Sequence, residues 1–132
     1  MSAEPRRIDA ARAAAAFERA LAEHSQEFGK FFLARLYGFD ITFPDGECEV
    51  AFEPADFMFN PQGWLHGGVL STAMDVSMGH LLDRTAGPGM TLEFKVQFLA
   101  PLRDGTVRCR GRIMRLGKSL AASCGSARAL PS

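Results

Sequence analysis

The stretch "LHGGVLSTAMDVSMGHLL", Leu65 to Leu82, decides how this chain is read. It is apolar and rich in small residues, yet it carries one formally charged side chain, Asp75, near its middle. A helix suited to burial is a costly place for a lone ionised carboxylate, because a low-dielectric interior penalises the charge. The acid must be paired, protonated or kept for chemistry. The small residues Gly67, Gly68, Ser71, Ala73, Ser77 and Gly79 would let such a helix lie close against a sheet. The helix is expected to start around His66 to Gly68 and to end near Thr85, where "AGPG" stops it.

Strand patterns flank this helix. Downstream, "MTLEFKVQFL" alternates strictly: Met90, Leu92, Phe94, Val96 and Phe98 against Thr91, Glu93, Lys95 and Gln97. Period 2 over that length predicts a half-buried strand closed by Pro101. "TVRCRGRIMR" alternates again, and "SLAASCGSARAL" is a weaker final strand. Upstream, "FDITF" and "CEVAFEP" around the turn "PDGE" predict a hairpin, and "ADFMFNPQGW" reads as a loop. Before these, Phe17, Leu21, Phe28, Phe32 and Leu36 recur at helical spacing, predicting helix from Ile8 to about Leu36, broken near Ser25. The order predicts an α+β domain, an antiparallel sheet with one long helix on its apolar face.

Composition narrows the function classes. The chain has 132 residues, most simply one domain. Fifteen basic residues balance fifteen acidic ones, which gives no general case for nucleic acid or an anionic membrane. From Arg103 onward the bases Arg108, Arg110, Arg112, Arg115, Lys118 and Arg128 join it against Asp104 alone, so a local anion-binding surface is one reading and a solvated sheet face the other. Cys48, Cys109 and Cys124 have no metal-ligand spacing; no metal is expected, and an odd count fits a reducing cytoplasm. The start of the chain is rich in Ala and Arg but also carries Glu4, Asp9, Glu18 and Glu23, favouring an ordinary N-terminal helix over a transit peptide. No apolar run reaches the roughly 20 residues needed to span a bilayer.

"FNPQGWLHGGVLSTAMDVSMG" resembles the hotdog-fold acyl-CoA thioesterases of the phenylacetate-degradation (PaaI-like) group, related to the 4-hydroxybenzoyl-CoA thioesterases. The resemblance rests on Asn60, Gly63, the His66-Gly67-Gly68 run opening the helix, and Asp75, followed by "GPGMTLEFKVQFLAPLRDG". It extends from about Phe28 to Arg115 and implies a single hotdog domain over residues 1–132, with 1–27 as a helical extension. It also implies a sheet wrapped around a central helix, a homodimer with sites at the interface, and a dimer of dimers as the larger alternative.

The implied reaction is hydrolysis of an acyl-CoA, aromatic or short to medium in chain, to acid and CoA, with no cofactor beyond the CoA of the substrate. Asp75 would act as general base or nucleophile on a carbonyl held by the other subunit's glycines, and Asn60 and His66 would orient water or thioester. Thr91 falls where relatives place a hydroxyl that assists the water. Gly63 and Trp64 would border the substrate. The chemistry suits the residues. Amides at a helix N-terminus stabilise a developing oxyanion, and glycine lets a ligand come near the backbone. A carboxylate can activate water or attack directly.

Blander roles stand beside each of these. Asp75 could be a structural acid capped by a hydroxyl such as Ser71, and His66 a helix-start residue. Gly67 and Gly68 could serve packing, Trp64 could pack as a loop aromatic, and His80 could be a core or interface histidine. A hotdog protein that binds acyl-CoA without hydrolysing it is the alternative function, and a hydratase of the same fold is a third. Relatives follow the "GRIMRLGKS" region with two strands, whereas "LAASCGSARALPS" supplies at most one. That shortfall could leave a sheet edge open or thin the core.

Overall fold

The central helix forms where the small-residue run predicts it. A computed structural model describes residues 4–130, and in it α3 spans Gly67–Ala86, about 30 Å of helix. His66 caps its start by accepting the Gly68 N–H. Gly87, at φ +107°, closes its end by donating to the Leu82 and Asp83 carbonyls. The φ is one that residues with a Cβ rarely adopt, which is why the stop falls on a glycine.

Four antiparallel strands lie in chain order along one sheet: β1 (Asp40–Thr42), β2 (Cys48–Phe52), β3 (Thr106–Leu116) and β4 (Ala121–Leu130). The expected hairpin is β1–β2, with Ile41 opposite Val50. β2 and β3 pair with Val50 opposite Cys109 and Glu49 opposite Arg110. Alternation then sorts the side chains. Cys48, Val50, Phe52, Val107 and Cys109 are buried against Leu70, Ala73, Met74 and Leu81 of α3. On the other face Arg108 pairs with Glu49 at 2.6 Å, and Arg110 with Glu47 and Glu49 at 3.3 and 3.4 Å. These arginines belong to a solvated, ion-paired face. Such pairs add little stability.

Helix and sheet touch most closely where both lack bulk. A Cβ on Gly111 would stand 2.7 Å from Ser77 Oγ and 2.9 Å from the Met78 nitrogen, and Ser77 is fully buried. Ala73 and Ser77 are thus the small residues at the sheet. Gly79 faces open space, and Gly67 faces a different neighbour, Phe98.

Two expectations change. The predicted strand Met90–Leu99 is not one: those residues have no strand pairing, although Phe94 and Val96 pack against the core. Alternation gives a segment two faces, but a strand also needs a hydrogen-bonded neighbour. This segment and β4 instead line a groove of about 1520 Å³ together with Leu70, Met74, Met78 and Leu82 of α3. The single strand expected after "GRIMRLGKS" is β4, paired with β3 alone.

The N-terminal helix is also broken more widely than predicted, into α1 (Ala10–Glu23) and α2 (Phe32–Tyr37). Phe17, Leu21 and Phe28 are about half exposed, and Ala16 and Ala20 are the buried positions of α1. Phe17 meets Phe32 edge to face, with centroids 5.3 Å apart. The intervening turn is clamped by His80 of α3, buried between Phe28 and Phe31, whose Nε2 accepts the Gly29 N–H at 2.8 Å. Burial pushes its pKa below the ordinary histidine value. His80 is therefore a core histidine, as its blander reading had it.

Candidate active site

The loop before α3 is built by one side chain. Asn60 Oδ1 accepts the N–H groups of Gln62 and Trp64, each at 3.0 Å. The Asn60 N–H donates to the Trp64 carbonyl, and the Gly63 N–H to the Asn60 carbonyl. Asparagine suits the position because its short amide can satisfy backbone donors two and four residues on. With Oδ1 so used, the amide presents its NH2 as the remaining group. A β-bridge between Phe59 and Leu65, and the His66 N–H on the Met58 carbonyl, then deliver the chain into α3.

The helix start shows the same polarity. His66 Nδ1 accepts the Gly68 N–H at 2.9 Å. A ring nitrogen that accepts is unprotonated, so the neutral ring carries its proton on Nε2. Gly68, expected to share oxyanion binding with Gly67, has its N–H committed to this cap. Among the described residues the Gly67 N–H has no such partner. Asn60, His66 and Gly67 therefore offer donors, backed by the positive end of the α3 dipole. That suits a carbonyl oxygen that gains charge.

Asp75 lies elsewhere. It is half-buried on α3 and accepts a hydrogen bond at Oδ1 from Thr91 Oγ1 at 2.8 Å. The structure thus brings Thr91 to Asp75, and the capping hydroxyl is Thr91's, not Ser71's. Both line the groove beside Leu70 and Met74. Eight residues of helix, about 12 Å of rise, separate Asp75 from Gly67. A single chain does not bring acid and donors onto one carbonyl.

The remaining expected residues have structural work. Trp64 is half-buried in the loop. Gly63, at φ +84°, is buried under the N-terminal segment: a Cβ there would collide with the Glu4 carbonyl and with Arg103. Reading the sequence did not find Arg103, whose guanidinium bonds the Gly63 carbonyl across 40 positions, nor Phe98, whose ring end would be 2.9 Å from a Cβ on Gly67. No local pattern announces contacts of that span. Cys48 and Cys109 are poor nucleophiles, since burial pushes their pKa values up to about 11 and about 12. Among the described residues no group of three His, Cys, Asp or Glu side chains could hold a metal, and no helix is long and apolar enough to cross a membrane.

The helix, its sheet and the donor-lined helix start define a class, an α+β hotdog protein with its candidate site around the central helix. The thioesterase superfamily pattern matches residues 62–124. Conserved protein PA5202 from Pseudomonas aeruginosa is 32% identical over 73% of this chain and 80% of its own, with a TM-score of 0.68. A phenylacetic acid degradation-related protein from Ralstonia eutropha JMP134 is 26% identical over 86% of this chain and 88% of its own, at 0.66. BH2602 from Bacillus halodurans, crystallised with CoA, shares the fold at 0.79, with 22% identity over 90% of this chain and 82% of its own. This chain belongs to the thioesterase superfamily, in its PaaI-like hotdog group. Matches to two curated relatives from Saccharolobus solfataricus cover 54% and 43% of those proteins, so the chain spans about half the length of the curated relatives it matches.

Proposed function

We propose that this protein hydrolyses an acyl-CoA thioester to a carboxylic acid and CoA, at a site completed by a second copy of the chain. The observation that carries the reading is the pairing of a half-buried Asp75, held by Thr91, with a helix start that presents donors. A carboxylate beside an apolar groove and an uncommitted Gly67 amide at the positive end of α3 are the two groups that thioester hydrolysis needs. Because about 12 Å of helix separates them, Asp75 of one copy would face Gly67 of the other. The CoA bound to BH2602 supports a CoA thioester as substrate class.

The chemistry follows from the groups. The thioester carbonyl accepts from the Gly67 amide, with Asn60 and His66 as further donors. Asp75 removes a proton from water, and the water oxygen bonds to the carbonyl carbon. Charge gathers on the carbonyl oxygen, where preorganised donors contribute most. When the carbonyl re-forms, the C–S bond breaks and the departing sulfur is the CoA thiolate. Thr91 holds one Asp75 oxygen, leaving the other to face the water.

The test is thiol release from phenylacetyl-, benzoyl- and hexanoyl-CoA, with the protein's own cysteines subtracted. Asp75→Asn should lower kcat by roughly 100- to 10,000-fold, the scale of a lost general base. A single turnover in H2¹⁸O separates the two roles of the acid: a base-activated water puts the label in the released acid, whereas direct attack followed by water opening the anhydride at the Asp75 carbonyl leaves the label in the Asp75 carboxyl and releases unlabelled acid. Micromolar binding without thiol release would instead favour the acyl-CoA-binding alternative.

A further inference from the structure

The N-terminal segment, Glu4 to Asp9, lies along the loop that carries Asn60, and its contacts are specific. Arg103 Nη1 donates both to the Gly63 carbonyl and to the Glu4 carbonyl, the latter at 3.1 Å. Arg6 reaches back to the Arg103 carbonyl at 3.3 Å and pairs with the Asp104 carboxylate. The Arg6 guanidinium also lies 4.0 Å above the Phe59 ring, one residue before Asn60. Further along, the Asp9 N–H donates to Asp56 Oδ2 at 2.8 Å, while the Asp9 side chain caps α1 through the Arg12 N–H. The segment is thereby tied down at both ends, over residues 56–63.

Gly63 explains why the fit needs a glycine. The Glu4 carbonyl occupies the space of its missing Cβ. Its positive φ adds a second reason, since residues with a side chain are strained there. So this glycine, which the resemblance places beside the substrate, serves here as the seat of the N-terminal strap.

We propose that Arg103 is a positioning residue for the candidate site: by holding the Gly63 and Glu4 carbonyls together, it uses the strap Glu4–Asp9 to fix the loop from which the Asn60 amide projects. This rests on the hydrolytic reading for its catalytic consequence, though the mechanical part stands alone. Arginine suits the task because one planar guanidinium can serve two carbonyls in fixed directions, which a lysine ammonium on a flexible stem does less well. The charge on Arg103 is offset by Asp104, whose carboxylate lies 3.9 Å from Arg103 Nε. A loop free to wander would misplace a donor that must meet the oxyanion, and small displacements at such positions are costly in rate.

The experiment compares the wild type with Arg103→Ala, Arg103→Lys and Arg6→Ala. Two readouts are taken: hydrogen exchange at the Gln62 and Trp64 amides, which Asn60 Oδ1 holds, and kcat and KM for whichever CoA thioester the wild type cleaves. Arg103→Ala should speed exchange at both amides at least tenfold and lower kcat about tenfold, with KM changed less than twofold. Arg103→Lys should recover part of each. Arg6→Ala, which removes the strap's contacts with the Arg103 carbonyl, Asp104 and Phe59 but leaves the Gly63 bond intact, should speed the same exchange and decides the matter if Arg103→Ala does not fold. Unchanged exchange in the folded variants overturns the inference. If the wild type cleaves no thioester while exchange responds as stated, the strap stands and the hydrolytic reading falls.

Discussion

Residues 90–98 and 106–116 have almost the same alternation, and the molecule treats them differently. In β3 the inward residues Val107 and Cys109 are fully buried, and both flanks are paired, with β2 on one side and β4 on the other. In the earlier segment Met90 and Leu92 are 82% and 73% exposed, and no strand pairs with it. The difference lies in the neighbours. Backbone donors and acceptors must be satisfied by a ladder or by water, and only β3 has the ladder. The earlier segment keeps its place through Phe94 and Val96 on the core and the Thr91 hydroxyl on Asp75.

Hydrogen exchange is the most direct way to break this contrast. Amides of β3 should exchange roughly 1,000-fold more slowly than the freely exchanging backbone, independently of protein concentration. Those of residues 91–98 should exchange fast in dilute protein and gain protection as concentration rises, because the proposed second copy would cover Met90 and Leu92. Equal protection of both stretches at high dilution would mean that the earlier segment has a partner within its own chain.

Substitution should sharpen the same contrast. Gly111→Val drives a side chain into Ser77 and the Met78 nitrogen, so we expect a loss of about 3 kcal/mol in denaturant unfolding. Leu92→Gln, on a side chain mostly in water, should change the same quantity by less than about 0.5 kcal/mol, its effect appearing as weaker association in sedimentation. A large loss from Leu92→Gln in dilute protein would show that this side chain is buried within a single chain.

Much of the fold was legible because it is local. The burial face of β2 and β3, the β1–β2 hairpin, the bounds of α3 and the glycine that stops it all follow from period, cap and turn residues close in sequence. Within the site, the helix-start histidine and the half-buried acid were legible as candidates for the same reason. Their partners were not. That Thr91 and not Ser71 meets Asp75, and that Gly63 lies beneath Glu4, are consequences of packing between residues 16 and 59 positions apart.

The sequence by itself determined which residues turn inward and where a carboxylate and a run of glycines would sit on one helix, because periodicity and capping act over a few residues. Only the tertiary structure decided which backbone donors stay open and which strand pattern becomes a strand. Those outcomes depend on hydrogen-bond partners and close approaches brought together by folding, and a linear pattern carries no distance between them.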